Sequence, residues 1–152
     1  MIYLVDSYGS LYSEEIQALT RKYRKFAEAA GKKVGIHTHN NQQLAYANTI
    51  EALIAGASRL DVTINGLGRG AGNCPMELLL GFLRNPKFKL RPVIEAIQNT
   101  IRPMRQQFDW GPSIPYNITG QMNLHPKSAM AWREGPAPDD YLGFYDQTLT
   151  DV

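Results

Sequence analysis

Short apolar runs alternate with longer amphipathic stretches through the first 108 residues of this chain, and this alternation restricts the fold more than any other feature. It predicts strands at residues 2–5, 34–39, 59–65 and 88–91, and helices at residues 13–30, 42–55, 75–83 and 92–107. Strands that alternate with helices form parallel sheets with right-handed crossovers. The four units therefore predict an α/β fold, either a small open sheet or half of an eight-stranded barrel.

The pattern changes after residue 108. Residues 109–116 are rich in turn-forming residues, residues 127–133 predict a short helix, and residues 135–140 predict a loop. We therefore divide the chain into a half-barrel at residues 1–108 and an irregular or helical C-terminal extension at residues 109–152.

Two histidines, His37 and His39, lie two positions apart in the second predicted strand. Side chains at such positions point to the same side of a strand, so both imidazoles can reach one metal ion. Polar residues follow, which places the pair at the carboxyl end of the strand, where parallel α/β folds hold their active sites. A histidine near a strand end is usually structural, so the pair alone leaves metal binding and a structural role equally open.

A glycine-rich loop follows the third predicted strand. Gly66-Leu-Gly-Arg-Gly-Ala71 matches the G-x-G-x-x-A pattern of dinucleotide-binding proteins. That fingerprint also needs an acidic residue about twenty positions later to hold the ribose, and residues 85–91 contain none. We therefore reject dinucleotide binding. The glycines indicate either a backbone that approaches a ligand closely or a flexible connection.

The composition limits the kinds of binding partner and the cellular compartment that we expect for this chain. The formal net charge is +2 and no dense run of Lys and Arg occurs, which argues against nucleic acid. The single cysteine, Cys74, excludes an internal disulfide and is typical of a reducing compartment. No stretch is long enough to span a membrane, and the N-terminus does not resemble a signal peptide. We expect a cytoplasmic protein without nucleic-acid or membrane partners.

Five segments between residues 2 and 83 occur in a characteristic order. They are Asp6-Ser-Tyr-Gly9, Gly35-Ile-His-Thr-His-Asn-Asn41, Leu44-Ala-Tyr-Ala-Asn48, Gly56-Ala-Ser-Arg-Leu-Asp-Val-Thr63, and the glycine-rich loop with Asn73 and Glu77. Together they resemble the metal-dependent aldolase and lyase barrels, which include 4-hydroxy-2-oxovalerate aldolase, HMG-CoA lyase and the isopropylmalate and homocitrate synthases. The resemblance implies the C-terminal half of a TIM barrel, strands five to eight. Since a complete barrel needs about 250 residues, we expect this chain to be part of a longer one.

The resemblance also implies a divalent metal ion, Mn²⁺ or Mg²⁺. It assigns the ion to His37 and His39, with Asn73 as a third ligand or a neighbour of the ligands. The family's aspartyl ligand and an adjacent arginine lie on the first barrel strand, which has no counterpart in this sequence. Two histidines need such a carboxylate to form a facial triad with open positions for substrate.

The activity that the resemblance implies is an aldolase reaction on an α-keto acid, with a metal-stabilised enolate and an aldehyde as the second small molecule. The candidate substrate-binding residues are Asp6, Ser7, Asn65, Gly68 and Gly70. For Asp6 and Ser7, a structural role in a turn before a helix is as good an interpretation as a substrate contact. The catalytic acid or base stays unassigned, because Tyr116 does not align with the family's tyrosine and Thr119 occupies that position.

Three alternatives to the aldolase arise from the same residues. HMG-CoA lyase carries a catalytic cysteine where this chain has Gly70, which argues against the lyase. A Claisen-type acyltransferase like isopropylmalate synthase is the alternative enzyme. The chain could also be an inactive fragment that only binds metal or self-associates. A half-barrel leaves strand edges unpaired, and homo-oligomers could form through them.

Overall fold

Three short parallel strands form the sheet of this computed structural model, which describes residues 1–150. The strands are β1 (Ile2–Asp6), β2 (Val34–Thr38) and β3 (Arg59–Leu60), in the order β1-β2-β3. The register pairs Ile2 with Val34 and Asp6 with Thr38, and β2 continues with Ile36 opposite Leu60. The predicted α/β fold with parallel strands is confirmed.

Eight helices accompany the sheet in the described part of the chain. They are α1 (Ser13–Ala29), α2 (Ala45–Ile54), α3 (Met76–Leu83), α4 (Leu90–Ala96), α5 (Arg102–Met104), α6 (Ile114–Gln121), α7 (Lys127–Arg133) and α8 (Tyr141–Thr150). Helices α1 and α2 make the crossovers between the strands. Among residues 1–150, none of the helices combines the length and the apolar character that crossing a bilayer requires.

The core lies between the sheet and its two crossover helices. Leu4 of β1 and Ile36 of β2 pack together with Ile16 of α1. Leu4 is only 5% exposed, whereas its neighbours Tyr3 and Val5 are 39% and 47% exposed. This alternation arises because successive side chains of a strand point to opposite faces of the sheet. The helices therefore cover one face of the sheet, and the described residues leave the other face open.

The third strand is shorter than the predicted residues 59–65. Only Arg59–Leu60 pair with β2, and a 3₁₀ turn follows at Ile64–Gly66. Asn65 and Gly66 adopt left-handed φ angles of 55° and 62°, which lie outside the extended region of a regular strand. The prediction of a strand beyond Leu60 is wrong because the chain turns back here, and the amide of Asn73 donates to Gly66 O at 3.0 Å.

The predicted fourth strand at residues 88–91 is also wrong, because a turn occupies residues 86–88 and α4 begins at Leu90. The predicted helix at residues 92–107 consists of α4, a π-helical turn at Ile97–Ile101 and α5. Pro103 has no N–H to donate to the carbonyl four residues earlier, and the wider π turn ends two residues before it. Helix α2 begins at Ala45, later than predicted, after Gln43 with its left-handed φ of 61°.

The C-terminal extension folds as α6, α7 and α8, of which the sequence predicted only α7. Tyr116, Ala129 and Phe144 form its core together with Ala71 of the glycine-rich loop. The extension therefore packs directly against the loop that follows β3. The division at residue 108 stays a prediction. The last two residues of the extension, 151 and 152, lie outside the described part of the chain.

Candidate metal centre

The two histidine rings lie side by side at the carboxyl end of β2. Their centroids are 4.9 Å apart, with an interplanar angle of 73°. The register sets His37 opposite Val5, on the face of the sheet that the helices leave open. The nitrogens of rings this close can meet at one ion, since each Zn–N or comparable bond is about 2 Å long.

A hydrogen bond to the main chain fixes the tautomer of His39. Its Nδ1 lies 2.9 Å from the carbonyl oxygen of Asp6. A carbonyl only accepts, so Nδ1 carries the hydrogen and Nε2 keeps the lone pair that a metal ligand needs. Burial lowers the pKa of His39, and the charges of His37 and Arg69 lower it further, against the opposing effect of the Asp6 carbonyl. The ring is therefore neutral at neutral pH.

His37 has a carboxylate neighbour. Its Nδ1 lies 3.4 Å from Oδ2 of Asp61, and both side chains are partly exposed. A carboxylate on Nδ1 orients the ring and leaves Nε2 free for a metal ion. Asp61 is not among the site residues predicted from the sequence. The signal that identifies it is the β2–β3 register, because Ile36 opposite Leu60 places Asp61 beside His37.

Asn73 joins the histidines through backbone contacts. It forms an isolated antiparallel bridge with His39, and its Nδ2 donates to the carbonyl of Leu67 at 3.1 Å. The Oδ1 atom of Asn73 is buried and has no partner in the described residues. Buried polar oxygens almost always have a partner, so this oxygen is available to a cation.

The three predicted metal ligands thus lie together in the structure. His37 and Asn73 line one shallow cleft of about 330 Å³, together with Asp61 and Thr63. Two imidazoles and an amide oxygen fit a divalent ion such as Mn²⁺. No group of three or more His, Cys, Asp or Glu side chains among residues 1–150 could hold a metal, so these residues supply no carboxylate ligand to the pair.

Asp6 and Ser7 follow β1 at the same edge of the sheet. Asp6 is only 2% exposed. Its Oδ1 accepts the Ser10 amide hydrogen at 3.0 Å, and its Oδ2 is buried without a partner in the described part of the chain. Burial raises the pKa of Asp6. Ser7 is exposed. A substrate contact for either residue stays a prediction.

The loop residues of the predicted substrate site have structural contacts of their own. The amide of Asn65 donates to Glu77 Oε2 at 3.0 Å, and the carbonyl of Asn65 accepts from Trp110 Nε1 at 3.1 Å. A side chain at Gly68 would overlap the Asn73 amide. Gly70 has a φ of 62°, and a Cβ there would lie 3.3 Å from the Tyr116 ring. These contacts explain the residue types, and their role in substrate binding stays a prediction.

The two residues compared with the family's catalytic tyrosine lie inside the extension. Tyr116 is 3% exposed, and its hydroxyl accepts from Arg133 Nη1 at 3.3 Å. Thr119 is fully buried, and its hydroxyl donates to the carbonyl of Tyr116 at 3.0 Å. The Thr119 hydroxyl is therefore bonded to the preceding turn of its own helix, and Tyr116 packs on the glycine-rich loop.

Curated relatives of this chain are named as aldolases and as a decarboxylase. The chain is 37% identical over 108 residues to the 4-hydroxy-2-oxovalerate aldolase of Thermus thermophilus, covering 68% of this chain and 30% of the relative. It is 41% identical over 123 residues to that of Geobacillus thermodenitrificans, covering 78% of this chain and 33% of the relative. Oxaloacetate decarboxylase from Mycobacterium tuberculosis is 42% identical over 84 residues, which cover 55% of this chain and 24% of that protein. The chain spans about a third of the length of the two aldolases.

Solved structures show the same fold. The N-terminal domain of a protein from Bacteroides vulgatus, described as an aldolase, superposes with a TM-score of 0.76 at 36% identity, over 86% of this chain and 43% of that one. The carboxyl transferase domain of Rhizobium etli pyruvate carboxylase has a TM-score of 0.68 at 20% identity, over 96% of this chain and 25% of that one, a likeness of fold alone. The HMGL-like family model matches residues 1–100. The chain therefore belongs to the HMGL-like family, as the order of its motifs predicts.

Proposed function

We propose that this chain carries part of the active site of a divalent-metal-dependent aldolase that acts on an α-keto acid. The observation that supports it most directly is the closeness of the His37 and His39 rings, together with the backbone bridge between His39 and Asn73, whose Oδ1 has no partner in the described residues. The relatives named as 4-hydroxy-2-oxovalerate aldolase favour this reaction over the Claisen-type acyltransferase.

We place the chain in the C-terminal half of a TIM barrel. The open face of the sheet, which carries Tyr3, Val5 and His37, corresponds to the inside of such a barrel. In this assignment β1, β2 and β3 are the fifth, sixth and seventh strands, and the eighth has no counterpart in residues 1–150. The carboxylate ligand would then come from outside the described residues.

The histidines and Asn73 would hold the ion, and Asp6 and Asp61 would orient the rings. The carbonyl of Asp6 sets the tautomer of His39, and the Asp61 carboxylate faces Nδ1 of His37. A bound divalent cation would polarise the 2-keto oxygen and stabilise the negative charge that develops there as the carbon–carbon bond breaks. The residue that moves the proton is not assigned.

The substrate class follows from the chemistry that the relatives' names share. Both 4-hydroxy-2-oxovalerate and oxaloacetate are 2-oxo acids with a cleavable C3–C4 bond. When that bond breaks, C3 keeps the electron pair and later takes a proton, and C4 leaves as an aldehyde or as carbon dioxide. The common product is pyruvate. We therefore propose a 2-oxo acid with such a leaving group at C4.

Metal binding tests the site directly. Mn²⁺ is titrated into the chain, and the free ion is measured by electron paramagnetic resonance. His37→Ala and His39→Ala are expected to weaken binding by at least about tenfold, since each removes a ligand. The control is His125→Ala, because His125 is exposed in the extension, against Tyr8. Equal affinity in all four proteins would contradict the metal centre.

Product analysis tests the reaction. The chain with Mn²⁺ is incubated with 4-hydroxy-2-oxovalerate or oxaloacetate, and pyruvate is measured with and without a chelator. Chelator-sensitive pyruvate release supports the lyase. Release of free CoA from an acyl-CoA and a keto acid would instead indicate the acyltransferase. Metal binding without either product would indicate an inactive fragment.

A further inference from the structure

Two side chains from beyond α5, Arg105 and Trp110, reach the turn that precedes the glycine-rich loop. Trp110 is 3% exposed, and its Nε1 donates to the carbonyl of Asn65 at 3.1 Å. The Arg105 guanidinium lies 4.3 Å from the centre of the Trp110 ring and donates to the Trp110 carbonyl at 3.2 Å. Its other terminal nitrogen lies 3.4 Å from Oδ1 of Asn65. Both side chains therefore hold Asn65.

Asn65 needs such support because of its backbone. Its φ of 55° lies in the left-handed region, which costs energy for any residue other than glycine, and Gly66 continues the turn at 62°. The Asn65 amide hydrogen is held by Glu77 Oε2 at 3.0 Å. The amide, the carbonyl and the side-chain oxygen of Asn65 thus each have a partner outside the turn. Residues in strained conformations persist where their surroundings hold them in this way.

The same turn positions Asn73. The amide of Asn73 donates to the Gly66 carbonyl at 3.0 Å, and its side-chain nitrogen donates to the Leu67 carbonyl at 3.1 Å. These two carbonyls belong to the residues directly after Asn65. The direction of the unpartnered Oδ1 of Asn73 therefore depends on the geometry of the turn.

We propose that Trp110 and Arg105 are positioning residues of the metal centre, which aim the Asn73 oxygen at the ion by holding the Asn65–Gly66 turn. This inference rests on the proposed metal-dependent function. Trp110 lies in the extension, and the next residue, Gly111, donates its amide hydrogen to the Gly70 carbonyl at 2.9 Å. The extension thus contacts both ends of the glycine-rich loop, which leads to the ligand Asn73.

The decisive variant is Trp110→Phe, which keeps a single aromatic ring under Arg105 and removes the indole N–H together with the volume of the second ring. Trp132→Phe is the matched control. The Nε1 of Trp132 has no partner among residues 1–150, and Trp132 belongs to α7, where it packs on Phe144. Arg105→Gln is a second test that leaves Trp110 in place, should Trp110→Phe fold poorly.

Two measurements on each protein decide the inference. The first is Mn²⁺ affinity, which we expect to fall about tenfold in Trp110→Phe and Arg105→Gln and to stay unchanged in Trp132→Phe. The second is amide hydrogen exchange of residues 65–73 without metal, which should be faster in the first two variants. Unchanged Mn²⁺ affinity in a folded Trp110→Phe or Arg105→Gln protein overturns the inference.

Failure of the proposed function gives a different result. If the wild-type chain binds no Mn²⁺, His37, His39 and Asn73 do not hold the ion by themselves, and the positioning of a metal ligand in this chain is overturned with them. The exchange rates still report separately whether Trp110 and Arg105 hold the turn. If the wild-type chain binds Mn²⁺ and the variants match it, only the inference about these two residues fails.

Discussion

Asn73 occupies its position only because Gly68 has no side chain. A Cβ at residue 68 would overlap the side-chain nitrogen of Asn73, the atom that bonds to the Leu67 carbonyl. The φ of Gly68 lies outside the left-handed region, so the requirement for glycine here comes from this close approach and not from the backbone. One glycine of the loop is thus explained by the ligand that it accommodates.

Gly68→Ala should therefore displace the Asn73 amide and weaken Mn²⁺ binding by about tenfold. Gly81→Ala is the matched control, because Gly81 lies inside α3 and a methyl group added there would have no atom within 4 Å beyond its own helix backbone and chain neighbours. That control should stabilise the protein by about 0.5–1 kcal/mol in urea unfolding and leave Mn²⁺ affinity unchanged. Equal Mn²⁺ affinity in the two variants would show that the position of Asn73 does not matter.

Asp61 should matter to metal affinity more than to stability. Its Oδ2 lies 3.4 Å from Nδ1 of His37, and its side chain is 44% exposed. Asp61→Ala removes the group that orients the ring, so Mn²⁺ affinity should fall about tenfold. Because exposed ion pairs contribute at most about 1 kcal/mol, the free energy of unfolding should change little.

The control for Asp61 is Asp146→Ala, which removes an exposed carboxylate from α8. It changes the net charge by the same amount far along the chain. If both variants lose Mn²⁺ affinity equally, the effect of Asp61 is general electrostatics and not the orientation of His37.

The sequence predicted the part of the site that depends on local geometry. His37 and His39 share a side because strand side chains alternate, and this holds in any fold that contains the strand. The contact between Asp61 and His37 depends on the β2–β3 register, and the contact between Trp110 and Asn65 spans 45 positions. Such contacts depend on tertiary packing, and the hydrophobic periodicity of a single segment does not predict them.

The errors in the fold have similar physical causes. The alternation through Leu60, Val62 and Ile64 indicated a long strand, but the left-handed turn at Asn65 ends the extended chain. Helix α6 was missed because its first turn contains Pro115, a residue type that also marks the turn-rich segment predicted there. Proline is favoured in the first turn of a helix, so the same residue is compatible with both structures.

Cys74 should resist alkylation in the folded chain. It is fully buried, and burial raises the pKa of its thiol from 9.0 to about 11. At about pH 8 only about one molecule in a thousand then carries the reactive thiolate. Mass spectrometry after iodoacetamide treatment should show little labelling in buffer and complete labelling in urea. Rapid labelling in buffer would mean that the buried cluster of Ala45, Cys74 and Leu79 opens readily.

The same thiol gives stability a pH dependence. The folded state favours the protonated thiol, so this contribution is present below the unfolded pKa of 9.0 and is lost as the pH rises toward about 11. Between about pH 8 and about pH 10 the free energy of unfolding should fall by about 1 kcal/mol more in the wild type than in Cys74→Ala. Urea unfolding of both proteins at the two pH values measures this difference. An equal fall in the wild type and in Cys74→Ala would contradict the prediction.

The free edge of β1 should drive self-association. β1 is the outer strand of the sheet in residues 1–150, and Tyr3 and Val5 on its open face are 39% and 47% exposed. Exposed apolar edges pair with other chains, and a two-fold dimer would pair two β1 edges antiparallel. Val5→Lys should therefore shift the mass measured by light scattering toward the monomer. Phe26→Lys is the control, because Phe26 is 64% exposed on α1, away from this edge. A monomeric wild type, or a dimer that Val5→Lys leaves intact, would contradict pairing through β1.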